Sequence, residues 1–591
     1  MFYVFIILLT LVFAVILELS QNTLLGWFLL LLGVASLILV RYFLMKKDKW
    51  SKASPVIGII GLTAFLIFGC FISQPPYRQV KATDASSPEI TDVIHVNEGD
   101  LTGVYNSDKS ARIYAGIPYA APPVGELRWR EPSDPVPWEG VLACDTFAPM
   151  AMQPRGNVFY DSLSHILGYH DYRINPKNNY REAVSEDCLY LNVYTPAEDY
   201  DEPLPVLFYV HGGSLTTGQS YYSEYRGEEL AKKGIIVVNF GYRLGVFGYY
   251  ANEELAAESP NSTTGNYGLL DQIKALEWVN ENIEAFGGDP SQITIAGESA
   301  GASSVNALCV SPLTEGMFVR AIADSSSIVA NRPYHTFRSY DEALETGSAI
   351  MEEFNVSSVE ELRQIPADKL VNTAYPNSSM TIDGYAITES PRDTYIKGNN
   401  HEQALLNGFN AKEADAFLLD TEATSDNYEE LIVPILGEYA GEAAALYPPG
   451  SIVRDQSFII DAGGDAKGAL NHLYSAAWFT YSHHVWSDFM LAEGRPVYEY
   501  YFTKTNDSLS NYHAGELVYA FGNLWRHPGL YDESDYRLSE LMQSYWVNFV
   551  KYGDPNGDGL PLWEQRASDS ELLMELCDEP KMIEDPYIPI Y

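Results

Sequence analysis

The chain has 591 residues, 46% of them hydrophobic, and carries 37 Lys and Arg against 79 Asp and Glu for a formal net charge of −42. Acidity on this scale repels nucleic acid and anionic lipid headgroups, so nucleic acid is not an expected partner. The five cysteines, Cys70, Cys144, Cys188, Cys309 and Cys577, show no C-x-x-C spacing, so no metal, redox centre or cofactor is expected; Cys144 with Cys188 is the candidate pair for a disulfide.

From the N-terminus, residues 2–17, 24–40 and 56–72 hold no charged side chain, and Tyr42, Phe43, Leu44 and Met45 extend the second run. Each is near the minimum length for a membrane span, and a signal peptide would show a basic stretch after Met1 and one apolar run, not three. The expectation is a membrane anchor at residues 1–74 with three transmembrane helices. Arg41, Lys46, Lys47, Lys49 and Lys52 crowd between the second and third runs, whereas ELSQNT at 18–23 has no basic residue. The positive-inside rule then makes the basic loop cytoplasmic and places everything after about residue 74 on the outer side of the cell membrane. IFGC, ending at Cys70, also resembles a bacterial lipoprotein cleavage site, apart from the bulky Phe68; either reading puts the rest of the chain outside the cytoplasm.

After a polar linker at 75–94, residues 95–591 show no internal repeat and no further linker, so one large domain is expected. Short apolar strands recur at 206–210 (VLFYV), 235–240 (IIVVNF), 293–296 (ITIA), 404–409 (ALLNGF) and 497–502 (VYEYYF). Between them lie amphipathic segments such as 269–286, where Leu269, Ile273, Leu276, Val279, Ile283 and Phe286 recur at helical spacing. This alternation predicts an α/β fold, a mostly parallel central sheet with helices on both faces. Reactive groups in such sheets gather at the carboxyl ends of the strands, where His211, Ser299, Glu413 and His513 all fall.

ITIAGESAGASS at 293–304 sets Ser299 between Gly297 and Gly301 at a strand-to-helix switch. A serine there has its hydroxyl pushed out at the sheet end, with the N–H of Ala300 pointing into the same space. The pentapeptide alone is weak, since about 0.2 matches are expected by chance in a chain of this length. A serine hydroxyl also needs a base, an acid to orient that base, and donors for an oxyanion. VHGGSLTTG at 210–218 offers the donors at Gly213 and Ser214, GFNAKEADAF at 408–417 offers Glu413, and NYHAGELVYAFG at 511–522 offers His513. His472, His483 and His484 precede the last strand in a helix-like segment and are the weaker bases; Asp415 is the rival acid.

Five longer stretches carry a resemblance: GIPYAAPPVGELRWREP at 116–132, SEDCLYLNVYTP at 185–196, NFGYRLGVFGYY at 239–250, residues 265–302, and YWVNFVKYGDPNGDGLPLWEQ at 545–565. With the elbow, in this order, the chain resembles the type-B carboxylesterases, the family that includes the cholinesterases. The resemblance implies an α/β-hydrolase fold, hydrolysis of small-molecule carboxylic esters without a cofactor, and a triad of Ser299, Glu413 and His513 with Gly213, Ser214 and Ala300 at the oxyanion hole. It also implies buried ion pairs of Arg128 with Glu186 and of Arg243 with Asp271.

Four departures stand out. Ser214 replaces the usual third glycine of the oxyanion loop, and of the family's D-E-G only the acid is kept, in Lys412, Glu413 and Ala414. Ala151, Met152 and Gln153 stand where relatives have the cysteine that pairs with the equivalent of Cys188. Asn178 stands where cholinesterases hold a quaternary ammonium with a tryptophan, although Tyr169, Tyr172 and Tyr180 offer aromatic surface nearby. The expectation is a membrane-tethered serine esterase, with a non-catalytic adhesion ectodomain as the alternative that an intact triad argues against.

Overall fold

The computed structural model describes residues 2–591 except 21, 50, 155–180, 331–336, 454–460, 506–510, 527–528 and 569, so Tyr169, Tyr172, Asn178 and Tyr180 lie outside the described residues. The chain divides into two compact units, Met1–Val80 with Arg155–Ala183, and Lys81–Pro154 with Val184–Tyr591.

In the first unit, helices α1 (Phe2–Leu19), α2 (Leu24–Lys46) and α3 (Ser54–Ile72) follow the three uncharged runs. α2 and α3 are long and apolar enough to cross a membrane; α1 is apolar and somewhat shorter. Length and composition thus support two candidate spans where three were expected. Small residues let the helices approach: a side chain at Gly33 would meet Phe65 and Leu62 of α3 at 2.9–3.0 Å, and one at Gly26 would meet Leu17 of α1 at 2.7 Å. Asn22, buried at the α1–α2 turn, donates to Ser73 Oγ at 2.6 Å and to Cys70 O at 2.8 Å. Cys70 itself lies within α3.

The second unit is built on an eleven-stranded sheet. Its strands are β1 (Val104–Tyr105), β2 (Ala111–Pro118), β3 (Tyr190–Pro196), β4 (Leu204–Val210), β5 (Ile236–Phe240), β6 (Gly288–Glu298), β7 (Arg320–Asp324), β8 (Ala404–Asn410), β9 (Val497–Phe502), β10 (Leu572–Leu576) and β11 (Lys581–Glu584). Their spatial order is β11-β10-β9-β8-β7-β6-β4-β5-β3-β2-β1. The run from β10 through β5 is parallel, and β1, β2, β3 and β11 pair antiparallel at the two ends. All five strands read from the sequence are present. β5 and β8 are buried at every residue, which is why they appear as mostly apolar runs and not as alternating ones.

The segment read as one helix at 269–286 is α4 (Tyr267–Asn282) followed by a 3₁₀ turn at Ile283–Phe286; its six apolar positions are buried. α5 (Ala300–Val310) leaves the end of β6 and packs against β6 and β7, buried from Gly301 onward. α6 (Lys467–Ser475) and α7 (Tyr481–Ala492) are joined without interruption by a π-helical turn at Ala476–Thr480. Arg128 makes a two-pronged pair with Glu186 at 2.6 Å on both prongs, and Arg243 pairs with Asp271 at 2.6 and 2.7 Å in full burial. Cys144 and Cys188 are buried and unbridged. Burial pushes the Cys144 thiol up to about 12 and raises Cys188 as well, so both stay protonated and pack as small apolar residues.

Candidate active site

β6 ends at Glu298, and Ser299 turns the chain into α5 at φ 55°, ψ −126°. A residue with a Cβ is held there only when its surroundings over-determine it, at a cost of about 1–3 kcal/mol. Two hydrogen bonds and the close packing of its neighbours fix it. The Ser299 N–H donates to Asp324 O on β7 at 2.8 Å, and Ser303 N donates back to Ser299 O at 3.0 Å. The flanking glycines leave no alternative packing: a Cβ at Gly297 would meet the Gly301 carbonyl carbon at 2.5 Å, and one at Gly301 would meet Val210 O at 2.1 Å. Ser299 is half-buried, its turn standing at the carboxyl end of the sheet beside the end of β4.

The loop leaving β4 reaches the same turn. A side chain at Gly212 would meet Glu298 O at 2.7 Å and Ser299 Cβ at 3.1 Å. Gly213, Ser214 and Leu215 take φ of 110°, 55° and 58° in succession, so Ser214 occupies the left-handed conformation that a third glycine would adopt without cost. Thr216 and Thr217 N–H groups close the loop on Gly213 O at 3.0 and 2.9 Å. Among the described residues, none accepts a hydrogen bond from the N–H of Gly213, Ser214 or Ala300. His211, at the start of the loop, is structural: it stacks on Tyr242 at 4.5 Å, and burial lowers it to about 4.

The loops after β8 and β9 are tied to each other. Lys412 N donates to Asn511 O at 2.9 Å, and Asn410 Nδ2 donates to Tyr512 O at 2.8 Å. Glu413, fully buried, accepts from Asn410 N at 2.7 Å, and its Oε2 lies 2.6 Å from His513 Nδ1. A carboxylate there holds a proton on Nδ1 and turns Nε2 toward the elbow. Nε2 is 3.2 Å from Oε1 of Glu298, the residue before Ser299. The structure therefore brings Glu413 and His513 into contact and sets the imidazole against the residue that precedes Ser299. Asp415, the rival acid, accepts instead from Asn471 Nδ2 at 2.8 Å on α6. His472 stacks on Tyr587 at 4.4 Å, His483 is fully buried, and His484 Nδ1 accepts from Arg566 at 2.8 Å.

Three buried acids beside this group were not singled out from the sequence. Burial raises Glu298 and Glu516 well above the carboxylate range, with the neighbouring carboxylates adding to it, and pushes Asp324 up to about 7. Glu516 accepts from the Asn410 side chain, and Asp324 from Tyr500. The second position of GESAG was the one available signal, for Glu298; Asp324 and Glu516 are brought here by contacts between residues distant in sequence. Aromatic rings close the other sides of the imidazole: Phe479 lies 4.7 Å from its centroid and Phe417 5.2 Å.

Residues 90–587 match the model of the carboxylesterase family. The chain is 31% identical over 507 residues to fumonisin B1 esterase of Sphingopyxis macrogoltabida, a match that covers 83% of this chain and 87% of that one. It is 32% identical over 535 residues to a medium-chain fatty acyl-CoA hydrolase precursor of Anas platyrhynchos, covering 83% and 88%. Among solved structures, a carboxylesterase of Geobacillus stearothermophilus superposes with a TM-score of 0.69 at 28% identity over 84% of this chain and 99% of that one. A PNB esterase gives the same TM-score at 26% identity, covering 84% and 98%.

Proposed function

The chain belongs to the carboxylesterase family and is a carboxylic ester hydrolase with the α/β-hydrolase fold, and from that premise we propose that it works as a membrane-tethered serine esterase through Ser299, His513 and Glu413. The observation that carries this reading is the 2.6 Å contact of Glu413 with His513 Nδ1, which leaves Nε2 facing the strained turn of Ser299.

In this mechanism Ser299 Oγ attacks the ester carbonyl as His513 Nε2 takes its proton, and Glu413 holds the tautomer and offsets the imidazolium that forms. The carbonyl oxygen becomes an oxyanion that the N–H groups of Gly213, Ser214 and Ala300 receive. His513 returns the proton to the departing alcohol, leaving an acyl-enzyme on Ser299, and water activated by the same base completes hydrolysis. The substrates are small-molecule carboxylic esters.

Ser299→Ala tests the chemistry: turnover of a p-nitrophenyl ester and labelling by a serine-directed fluorophosphonate should both vanish while the folded signal is kept. Wild-type turnover in that variant would remove Ser299 from the mechanism.

For the anchor, the proposal is that α1, α2 and α3 all span the membrane with the esterase outside. The basic residues Lys46, at the end of α2, and Lys47, Lys49 and Lys52, between α2 and α3, support a cytoplasmic position for that loop. Single cysteines placed at 47 and at 84 in intact cells should be protected from and open to an impermeant thiol reagent, respectively. The reverse pattern would put the esterase in the cytoplasm.

A further inference from the structure

We propose that Phe479, with Phe417 as its partner ring, is a positioning residue that holds the His513 imidazole at the angle its proton transfers require and favours its protonated form. The inference rests on the triad reading above and adds to it a part that neither the elbow nor the acid supplies. Glu413 and Glu298 contact the imidazole through its two nitrogens. Such contacts act at the edge of the ring and leave rotation about the Glu413 bond weakly opposed. The two phenyl rings supply what is missing. Phe479 packs at 4.7 Å with 43° between planes, Phe417 packs edge-to-face at 5.2 Å and 66°, and the two phenyl rings touch each other at 5.8 Å.

The backbone is built for this placement. Phe479 sits in the π-helical turn Ala476–Thr480, inside an otherwise α-helical run from Lys467 to Ala492. A π turn adds one residue to the helix and so rotates the side chains after it by about 100° relative to an uninterrupted helix. It is a costly feature to keep in a helix interior, and here it presents a ring that is 3% exposed directly to the base. Phe417, 47% exposed, approaches from the 3₁₀ turn that follows Glu413. An aromatic ring near an imidazole attracts the cation that forms when the base takes a proton, and the attraction grows where water is excluded. The titratable groups facing His513 are Glu413 and Glu298, with Asp324 and Glu516 in the same buried acid group; all four are common to wild type and to the variants below.

The test uses the full-length protein and p-nitrophenyl acetate, whose small acyl group limits any effect of pocket size. Phe479→Leu should lower kcat about tenfold with KM within twofold, and should move the acidic limb of the kcat/KM profile down by about half a pH unit, the size expected for loss of one aromatic–cation contact. Phe479→Tyr, which keeps the ring, should restore both. Phe417→Leu alters a half-exposed side chain and should shift the limb in the same direction by less, so it decides the matter if Phe479→Leu does not fold. A purely structural role would lower the melting temperature without moving the limb. An unmoved limb in Phe479→Leu, or in Phe417→Leu where that variant must decide, overturns the proposal. Fluorophosphonate labelling separates the two readings: a wild-type label away from Ser299 overturns both, whereas a label on Ser299 with an unmoved limb overturns only the aromatic positioning.

Discussion

The Tyr500 hydroxyl donates to Asp324 Oδ1 at 2.8 Å, reaching from β9 to β7 across the intervening strand β8. The span is possible because β8 carries Gly408 at that point, where a Cβ would stand 2.3 Å from the Tyr500 ring. Asp324 in turn receives the Ser299 N–H through its main-chain oxygen. One brace therefore ties the strand that leads to His513 to the turn that carries Ser299. Tyr500→Phe keeps the ring and leaves the buried carboxyl short of a donor, which should cost about 1–3 kcal/mol in urea unfolding. Gly408→Ala should cost at least as much, because the ring has nowhere to move. Unchanged stability in both variants would show that the brace carries no load.

The strain at Ser299 makes a separate prediction. Alanine at 299 removes the hydroxyl but keeps the Cβ at φ 55°, whereas glycine removes both. Both variants should be inactive. Ser299→Gly should nonetheless be more stable than Ser299→Ala by about 1 kcal/mol, the relief of strain exceeding the extra freedom glycine has in the unfolded chain. A glycine variant less stable than the alanine variant would mean that the turn is not strained.

Loss of activity alone does not identify a catalyst in this protein, and the Arg243–Asp271 pair shows why. Arg243 is buried and also donates to Arg130 O at 2.8 Å. Asp271→Asn leaves that guanidinium without a counter-charge, at about 3–5 kcal/mol, and should abolish activity through unfolding. Arg243→Met combined with Asp271→Leu should recover much of the loss and with it fluorophosphonate labelling. If the single variant stays fully folded yet inactive, the pair belongs to the chemistry and not to the scaffold.

What the sequence made legible follows from how each feature is encoded. Strands buried on both faces, such as β5 and β8, are mostly apolar runs and were readable. The antiparallel edges were not, because β1 has two residues and β11 has four, none of them buried. Ser299, Gly213, Ser214, Ala300, Glu413 and His513 could be named as candidates because each sits in a local motif at a strand end. Phe479 and Tyr500 could not, since one depends on a π turn inside a helix and the other on a glycine in a neighbouring strand. The helices of the first unit were readable as apolar runs.

Asp324 also makes the stability of the fold depend on pH in a direction opposite to that of an ordinary surface carboxylate. Burial pushes its carboxyl from 3.8 up to about 7, with the nearby Glu413 charge raising it and the Tyr500 bond lowering it. The folded chain therefore binds a proton at Asp324 more tightly than the unfolded chain does. The resulting stabilisation is fully present below pH 3.8 and is lost as pH rises to about 7. One proton limits the slope to about 1.4 kcal/mol per pH unit. Other groups titrate against this trend. Burial lowers His472 to about 4 and His483 to about 3, so each adds stability that is lost as pH falls below the usual histidine range. The difference between wild type and Asp324→Asn removes those contributions, because asparagine keeps an oxygen to accept from Tyr500 but cannot ionise. Measured by urea unfolding from pH 5 to 8, Asp324→Asn should gain on the wild type steadily as pH rises and level off above about 7. A difference that stays flat across this range would mean that Asp324 remains charged in the fold at all these pH values.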